Sequence, residues 1–396
     1  ASPPRGADYR GELHIGAFTP SLLEDVDAIC LSPGLALGHP VIEEARRRGI
    51  PVLGDVELFA RSNKAPVLAV TGTNGKSTVT ALTGHLLRAA GLDIEVAGNI
   101  APPVLDALMR RPAPPAAWVL ELSSYQLETT SSLEPHAAAM LNLSEDHLDR
   151  YRDIEAYGAA KARIFAGSGI QVLNRDDACS MAMALPGRTV VSFGLSAPRD
   201  DREYGVSGGN LVEGRLPIIE IGELPIHGLH NASNALAACA LAASLGLSRE
   251  QLAAGLRTFR GLPHRLALVA RRDGVDWYDD SKGTNVGATI AALRGLRRPT
   301  VLILGGDGKG QDFAPLAPPV REFAKHVLLI GRDAPLIEKV VPGERCASLE
   351  EAVARAAHLA RPGYAVLLSP ACASFDMFRD YRQRGEAFAE AVRRLP

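Results

Sequence analysis

The sequence predicts an α/β protein of three domains built round a central phosphate-loop sheet, on three grounds. Short apolar runs alternate with helical patterns along the chain, as in parallel sheets covered by helices. One such unit joins the apolar run 66–70 to Thr71-Gly-Thr-Asn-Gly-Lys-Ser-Thr78 and then to a helical pattern over 79–90. Finally, 396 residues exceed what one hydrophobic core usually organises.

Residues 1–62 hold strand-like runs at 13–18, 28–32 and 50–53 and a helical pattern at 41–48, which is thin for a complete domain. The block 63–262 opens with the phosphate loop. There a strand, a glycine turn and a helix N-terminus aim backbone N–H groups and the positive end of a helix dipole at one point. Gly72 and Gly75 make the turn, and Thr73 and Asn74 add amides. Lys76 brings a mobile charge, and Ser77, followed by Thr78, stands where a hydroxyl holds the magnesium ion of a nucleotide. Val70 occupies the place of the first glycine in the general phosphate-loop pattern. Apolar runs predict further strands at 118–122, 137–143 and 171–174, then an alanine-rich helix at 231–245 and another at 248–257. Gly261-Leu-Pro-His264 interrupts the pattern, so a boundary is placed there, and the last domain is 263–396. Its buried strands are expected at 300–304, 326–330 and 365–368, two of them running straight into polar loops, where ligands sit in parallel sheets.

Composition excludes several classes. A formal charge of −2 leaves no footprint for nucleic acid or an acidic membrane surface. Five scattered cysteines, none spaced C-x-x-C, argue for a reducing cytoplasm and against disulfides or zinc. No run is long enough to cross a membrane as a helix, and the first residues are not a signal peptide; lacking an initiator methionine, the chain is read as a fragment. Only seven of 43 basic residues are lysine, so Lys76, Lys282 and Lys309, all in small-residue turns, draw attention as point charges or reactive amines; Lys161 opens a basic helical stretch and alone would pass as a surface residue.

Polar motifs follow the predicted strands. Glu121-Leu-Ser-Ser124 offers either a carboxylate for a magnesium shell or a strand-terminating cap. Ser144-Glu-Asp-His-Leu-Asp-Arg150 surrounds His147 with acids, as a ligand site or as an acidic helix start. In Gly228-Leu-His-Asn-Ala-Ser-Asn-Ala235, Asn231 or Ser233 serves equally well as a helix N-cap. Pro263-His-Arg265 could reach phosphates across a cleft. Asp279-Asp-Ser-Lys-Gly-Thr-Asn285, Gly305-Gly-Asp-Gly-Lys-Gly310 and Ser369-Pro-Ala-Cys-Ala-Ser-Phe-Asp376 are each compatible with plain turns and caps, yet all stand at strand ends.

In order and spelling, these motifs resemble those of the Mur ligases, ATP-dependent amide-forming enzymes of peptidoglycan assembly, from about Ser32-Pro-Gly34 to the C-terminus. The resemblance is nearest the branch that joins UDP-N-acetylmuramoyl-L-alanine to D-glutamate. It implies Rossmann-like N-terminal and C-terminal domains flanking the central ATPase sheet, for the uridine nucleotide and the amino acid respectively. The N-terminal domain is expected to be incomplete, because no glycine-rich loop precedes Ser32 and roughly forty residues of a usual domain are missing.

Carried over residue by residue, the resemblance gives Gly72, Thr73, Asn74, Gly75, Lys76, Ser77 and Thr78 to ATP phosphates, with Asn231 at the adenine, Arg265 at phosphates and Asp280 at the ribose. Ser77 and Glu121 would bind a first magnesium ion, and His147 and Lys161 a second, the lysine as a carbamate. Asn99, Ser123 and Gln126 would line the muramoyl substrate. Lys282, Thr284, Lys309, Ser374 and Tyr381 would surround D-glutamate and the reacting carboxylate, Tyr381 replacing an expected phenylalanine. A monomer is expected. The rival readings are a sister ligase, a folylpolyglutamate synthase-like enzyme, or a nucleotide-binding switch without ligase activity.

Overall fold

In the computed structural model, which describes residue 12, residues 14–146 and residues 150–395, the strands gather into three sheets of two, nine and six strands. The central sheet runs, edge to edge, Leu216–Glu220, Asn210–Glu213, Glu203–Ser207, Val190–Phe193, Ile170–Asn174, Ala137–Met140, Val67–Thr71, Ala117–Glu121 and Ile94–Gly98. All its pairings are parallel except the two joining the last three strands in sequence, which form an antiparallel meander. Val67–Thr71 is buried along its whole length between Ala137–Met140 and Ala117–Glu121. Because the chain departs from this strand first to one side and then to the other, the carboxyl ends of these three strands frame one crevice.

Apolar side chains seal both faces of the sheet. On one face the helices Lys76–Ala89, Leu229–Ala243 and Arg249–Thr258 cover Leu68, Val70 and Val119. On the other, Asp55–Ser62 and Val104–Arg110 cover Ala69, Trp118 and Leu120, with the Phe59 and Trp118 rings edge-to-face at 4.9 Å. The helix Asp55–Ser62 escaped sequence reading because it is short and follows a strand of only two residues. Its buried Glu57 fastens it to the central domain. The carboxylate accepts from Ser131 N at 2.7 Å, Ser132 N at 2.9 Å, Ser132 Oγ at 2.6 Å and Arg61 Nε at 2.9 Å.

Several expected boundaries move. No strand forms over His14–Phe18, and residue 13 lies outside the described residues; the N-terminal sheet is the parallel pair Ile29–Cys30 and Val52–Leu53, packed on Val41, Ile42 and Ala45 of the helix Pro40–Arg47. The run expected as a strand over 137–143 stops at Met140, because Asn142 turns aside to bind the phosphate loop. The helix expected from 79 begins at Lys76, its first turn growing directly out of the glycine loop. Gly72 (φ 150°) and Gly75 (φ 85°) are required there: a Cβ would stand 2.9 Å from Leu141 Cβ and 2.5 Å from Asn234 Oδ1 respectively.

The C-terminal sheet runs Ala267–Arg272, Val275–Asp279, Ala365–Leu368, Thr300–Gly305, Ala324–Ile330 and Glu344–Arg345, parallel except for its first pair. That pair is a hairpin turning at Asp273 (φ 51°) and Gly274 (φ 74°), the left-handed conformation a two-residue turn demands.

Burial alone would raise the Glu57 carboxyl, but hydrogen bonds from Ser131, Ser132 and Arg61 outweigh it and hold the group at about 2, below its ordinary 4.5. Its contribution to stability is therefore present above pH 4.5 and lost as pH falls towards 2. Replacing Glu57 by Ala strands buried donors and is expected to cost about 3 kcal/mol at neutral pH in urea unfolding, with the deficit shrinking in acid; an unchanged midpoint would refute the staple.

Candidate active site

The phosphate loop is tied down by Asn142, just beyond the neighbouring strand Ala137–Met140. Thr73 N donates to Asn142 O at 2.9 Å, Asn74 N to Asn142 Oδ1 at 2.8 Å, and Asn142 Nδ2 back to Asn74 O at 3.1 Å. Lys76 folds over its own loop, Nζ donating to Gly72 O at 2.9 Å and Thr73 O at 3.0 Å. Lys161, buried in the last turn of the helix Ile154–Ala162, donates to the same Gly72 oxygen at 2.9 Å, and its Nζ stands 4.5 Å from the centre of the Tyr157 ring. Burial, then the neighbouring Lys76 charge, push the Lys161 ammonium well below the usual lysine range. Desolvation lowers Lys76 as well.

Glu121 ends its strand buried, and it caps no helix. Oε1 accepts from Asn99 Nδ2 at 2.7 Å, while Oε2 has no hydrogen-bond partner among the described residues. Arg265, from the C-terminal domain, donates through Nη2 to Ser77 Oγ at 2.9 Å. Ser77, Asn99, Glu121, Arg265, Lys282 and Tyr381 thus line one cavity of about 480 Å³ between the two domains. Burial, reinforced by Arg265 and opposed by Glu121, lowers Lys282 to about 8, and its Nζ lies 4.0 Å from the centre of the Tyr381 ring.

A smaller cavity of about 140 Å³ is lined by Asn74, Gly75, Thr78, Asn231, Arg265 and Asp280. Here the helix begins at Leu229 after Gly228, so neither Asn231 nor Ser233 is an N-cap; Asn231 Nδ2 donates to His227 O at 2.8 Å. Asp280 accepts from Leu266 N at 3.1 Å and Ser369 Oγ at 2.7 Å, and burial raises it to about 7.

Other expected residues sit differently. Ser123 is the N-cap of the helix Ser124–Glu128 and shares a capping box with Gln126, whose Nε2 donates to Asp55 Oδ2 at 3.0 Å. Both side chains are thereby engaged within the protein. Exposed Lys309 (φ 52°) lines a separate cavity of about 450 Å³ with Glu145, Asp146, Val286 and Gln311. Thr284 N donates to Lys282 O at 2.9 Å, and buried Ser374 accepts through its carbonyl from Met377 N and Phe378 N. His147 lies outside the described residues.

Sequence reading missed Asn142, whose role depends on a loop 68 residues away, and Arg384, which no motif singles out. Arg384 is buried and donates to Ser281 Oγ, Ser281 O, Cys372 O and Ala373 O at 2.8–3.3 Å. It thereby fastens the loop carrying Lys282 to the loop carrying Ser374, and burial lowers it to about 10.

Three family models match the chain: the MurD-like N-terminal domain of Mur ligases over residues 4–54, the Mur ligase middle domain over 70–242 and the Mur ligase glutamate ligase domain over 264–372. A relative from Thiobacillus denitrificans, named UDP-N-acetylmuramoylalanine--D-glutamate ligase, is 55% identical, the match covering 97% of this chain and 86% of the relative. Relatives of the same name from Aromatoleum aromaticum (52%; 97% and 87% covered) and Nitrosospira multiformis (52%; 98% and 86% covered) are similar to the same extent. Among solved structures, the UDP-N-acetylmuramate-alanine ligase of Thermotoga maritima superposes with a TM-score of 0.63 at 20% identity, covering 95% of this chain and 87% of that one. The folylpolyglutamate synthase of Mycobacterium tuberculosis does so at 0.62 and 16%, covering 84% and 92%. At these identities the structures speak to the fold alone.

With Lys282 at about 8, its charge is largely gone by pH 9. Affinity for ATP, measured by titration calorimetry, is expected to fall about tenfold between pH 7 and 9, and the Lys282→Arg variant to flatten the profile. A wild-type affinity independent of pH would exclude Lys282 from anion binding.

Proposed function

The chain belongs to the Mur ligase family, and from that premise we propose that it joins UDP-N-acetylmuramoyl-L-alanine to D-glutamate with ATP, through an acyl phosphate, in cytoplasmic peptidoglycan precursor synthesis. The observation carrying the chemistry is the single cavity where Ser77 and Glu121 of the central domain meet Arg265, Lys282 and Tyr381 of the C-terminal domain. The substrate pair is supported by relatives that share half their residues with this chain along nearly its whole length.

A carboxylate does not react with an amine at neutral pH, since its leaving group would be oxide. Transfer of the γ-phosphoryl group makes phosphate the leaving group instead. The protein's part is positioning and charge neutralisation. The loop amides of residues 72–78 cradle ATP, and Lys76 exchanges its two loop carbonyls for phosphate oxygens. Asn231 and Asp280 belong to the adenosine side, Arg265 and Lys282 to the transferring phosphate and the reacting carboxylate. Asn99 faces the muramoyl substrate, with Ser123 and Gln126 shaping that wall. Thr284, Lys309, Ser374 and Tyr381 are assigned to D-glutamate. Asn285 Nδ2, 3.4 Å from Asn74 Oδ1 and 3.3 Å from Asp146 Oδ2, supports closure of the domains over ATP.

The donor set fits magnesium. The buried, unpartnered Glu121 Oε2 and the Ser77 hydroxyl line the same cavity, and they would hold a first ion. His147 and Lys161 would hold a second. Bound magnesium supplies charge neutralisation for the phosphoryl group. Lys161 suits the carbamate role because a buried amine disfavoured as an ammonium ion is a nucleophile for carbon dioxide: it adds to the carbon, loses a proton and becomes an anion. We also place the domain limits at 1–62, 63–262 and 263–396, the first for the uridine nucleotide, and take the enzyme to act as a monomer. Among the described residues no helix is long and apolar enough to cross a membrane.

The test is phosphate release from Mg-ATP with UDP-N-acetylmuramoyl-L-alanine, comparing D-glutamate with L-glutamate, L-alanine, L-lysine and diaminopimelate. Release that needs both the nucleotide sugar and D-glutamate is expected; equal release with another amino acid would refute the assignment. Lys161→Arg, which cannot form a carbamate, is expected to lose at least about a hundredfold in kcat, and near-normal turnover in that variant would remove the carbamate from the mechanism.

A further inference from the structure

The ligase reaction needs a step that none of the phosphate-binding groups performs. D-glutamate arrives as an ammonium ion, and only the free amine has a lone pair for the acyl carbon. His264 stands in the place for this task. It lines the 480 Å³ cavity with Ser77, Glu121, Arg265 and Lys282. Nδ1 donates to Asp279 Oδ2 at 2.6 Å, whereas Nε2 has no hydrogen-bond partner among the described residues. A carboxylate on Nδ1 holds the ring proton there and leaves the lone pair on Nε2.

The pair is fixed from every side. Asp279, buried at the end of its strand, uses its other oxygen to accept from Ser281 N at 2.9 Å. His264 has a left-handed backbone (φ 61°), and its carbonyl accepts from Lys282 N at 3.0 Å. A Cβ on residue 385 would lie 2.2 Å from His264 Nδ1 and 2.6 Å from Asp279 Oδ2, so the helix Tyr381–Arg393 closes on the pair only because that residue is Gly385. The Tyr381 ring meets the imidazole edge-to-face at 6.1 Å.

Resting on the ligase reaction proposed above, we propose that His264, oriented by Asp279, is the proton acceptor that turns the incoming ammonium of D-glutamate into the attacking amine. Nε2 takes one proton. The amine nitrogen then bonds to the acyl carbon, and the carbon–oxygen bond to phosphate breaks with its electron pair leaving on phosphate. The nitrogen's second proton goes to the departing phosphate, and the imidazolium returns its proton to solvent when product leaves.

A purely structural pair would clamp the 261–266 segment equally well, so the test compares two nucleophiles. His264→Asn keeps an N–H for Asp279 but has no Nε2. With saturating Mg-ATP and UDP-N-acetylmuramoyl-L-alanine at neutral pH, its kcat with D-glutamate is expected to fall about 10²–10⁴-fold. Hydroxamate formation with hydroxylamine, whose nitrogen is already unprotonated at neutral pH, is expected to stay within about threefold of wild type, since it needs no base. Asp279→Asn is expected to shift the ratio of the two rates in the same direction, and it carries the comparison if His264→Asn does not fold. Equal slowing with both nucleophiles, or no slowing with either, would overturn the proposal. Absence of hydroxamate from the unsubstituted enzyme would instead overturn the acyl-phosphate reaction on which it rests.

Discussion

Two lysine ammonium groups, Lys76 and Lys161, donate to one backbone oxygen, that of Gly72, and this arrangement sets the terms for everything around it. Burial disfavours both ammonium forms, and the neighbouring Lys76 charge adds to the effect on Lys161. Arg265 and Lys282 add further positive charge from the facing domain, against Glu121, the one carboxylate among the described residues that line the shared cavity. Such a site is poised for a polyanion. The surrounding structure exists to keep these groups from relaxing away from one another: the Asn142 brace under the loop, the Arg384 clasp between two C-terminal loops, and the strand ends that aim all of them at one crevice.

What could be read from the chain follows from how many faces of an element are buried. Strands such as Val67–Thr71 and Ala365–Leu368, covered on both sides, are continuous apolar runs and stand out. Ile94–Gly98, at an edge and carrying Glu95, does not, and the meander from Glu203 to Glu220 mixes polar and apolar residues because part of it faces solvent. The hairpin at Asp273–Gly274 was legible in principle from its turn residues, but the arginines of Ala267–Arg272 obscured the strand before it.

At the site, motifs that end a buried strand in glycine, acid or lysine were visible because each is local. Pairings across long separations were not. Nothing near Gln126 announces that its amide reaches Asp55, and nothing near Arg384 announces that it closes on Ser281, 103 residues earlier. Glu121 shows the other side of the same limit. Its two local readings were a cap and a ligand; the structure hands the cap to Ser123 and leaves Glu121 with an unpartnered oxygen in the cavity.

The segment joining the central and C-terminal domains packs three left-handed residues, Gly261, His264 and Leu266, into six positions, and of its four residues that line the cavity, Leu262, Pro263, His264 and Arg265, the last two carry polar side chains. Any rotation about this segment carries both off together, Arg265 from Ser77 and His264 from the reacting centre. Phosphate handling and proton removal are thereby mounted on a single mechanical gate. The consequence would be economy of fuel: in a molecule opened at this segment Arg265 would no longer reach Ser77, so ATP on the loop alone would meet an incomplete set of charges.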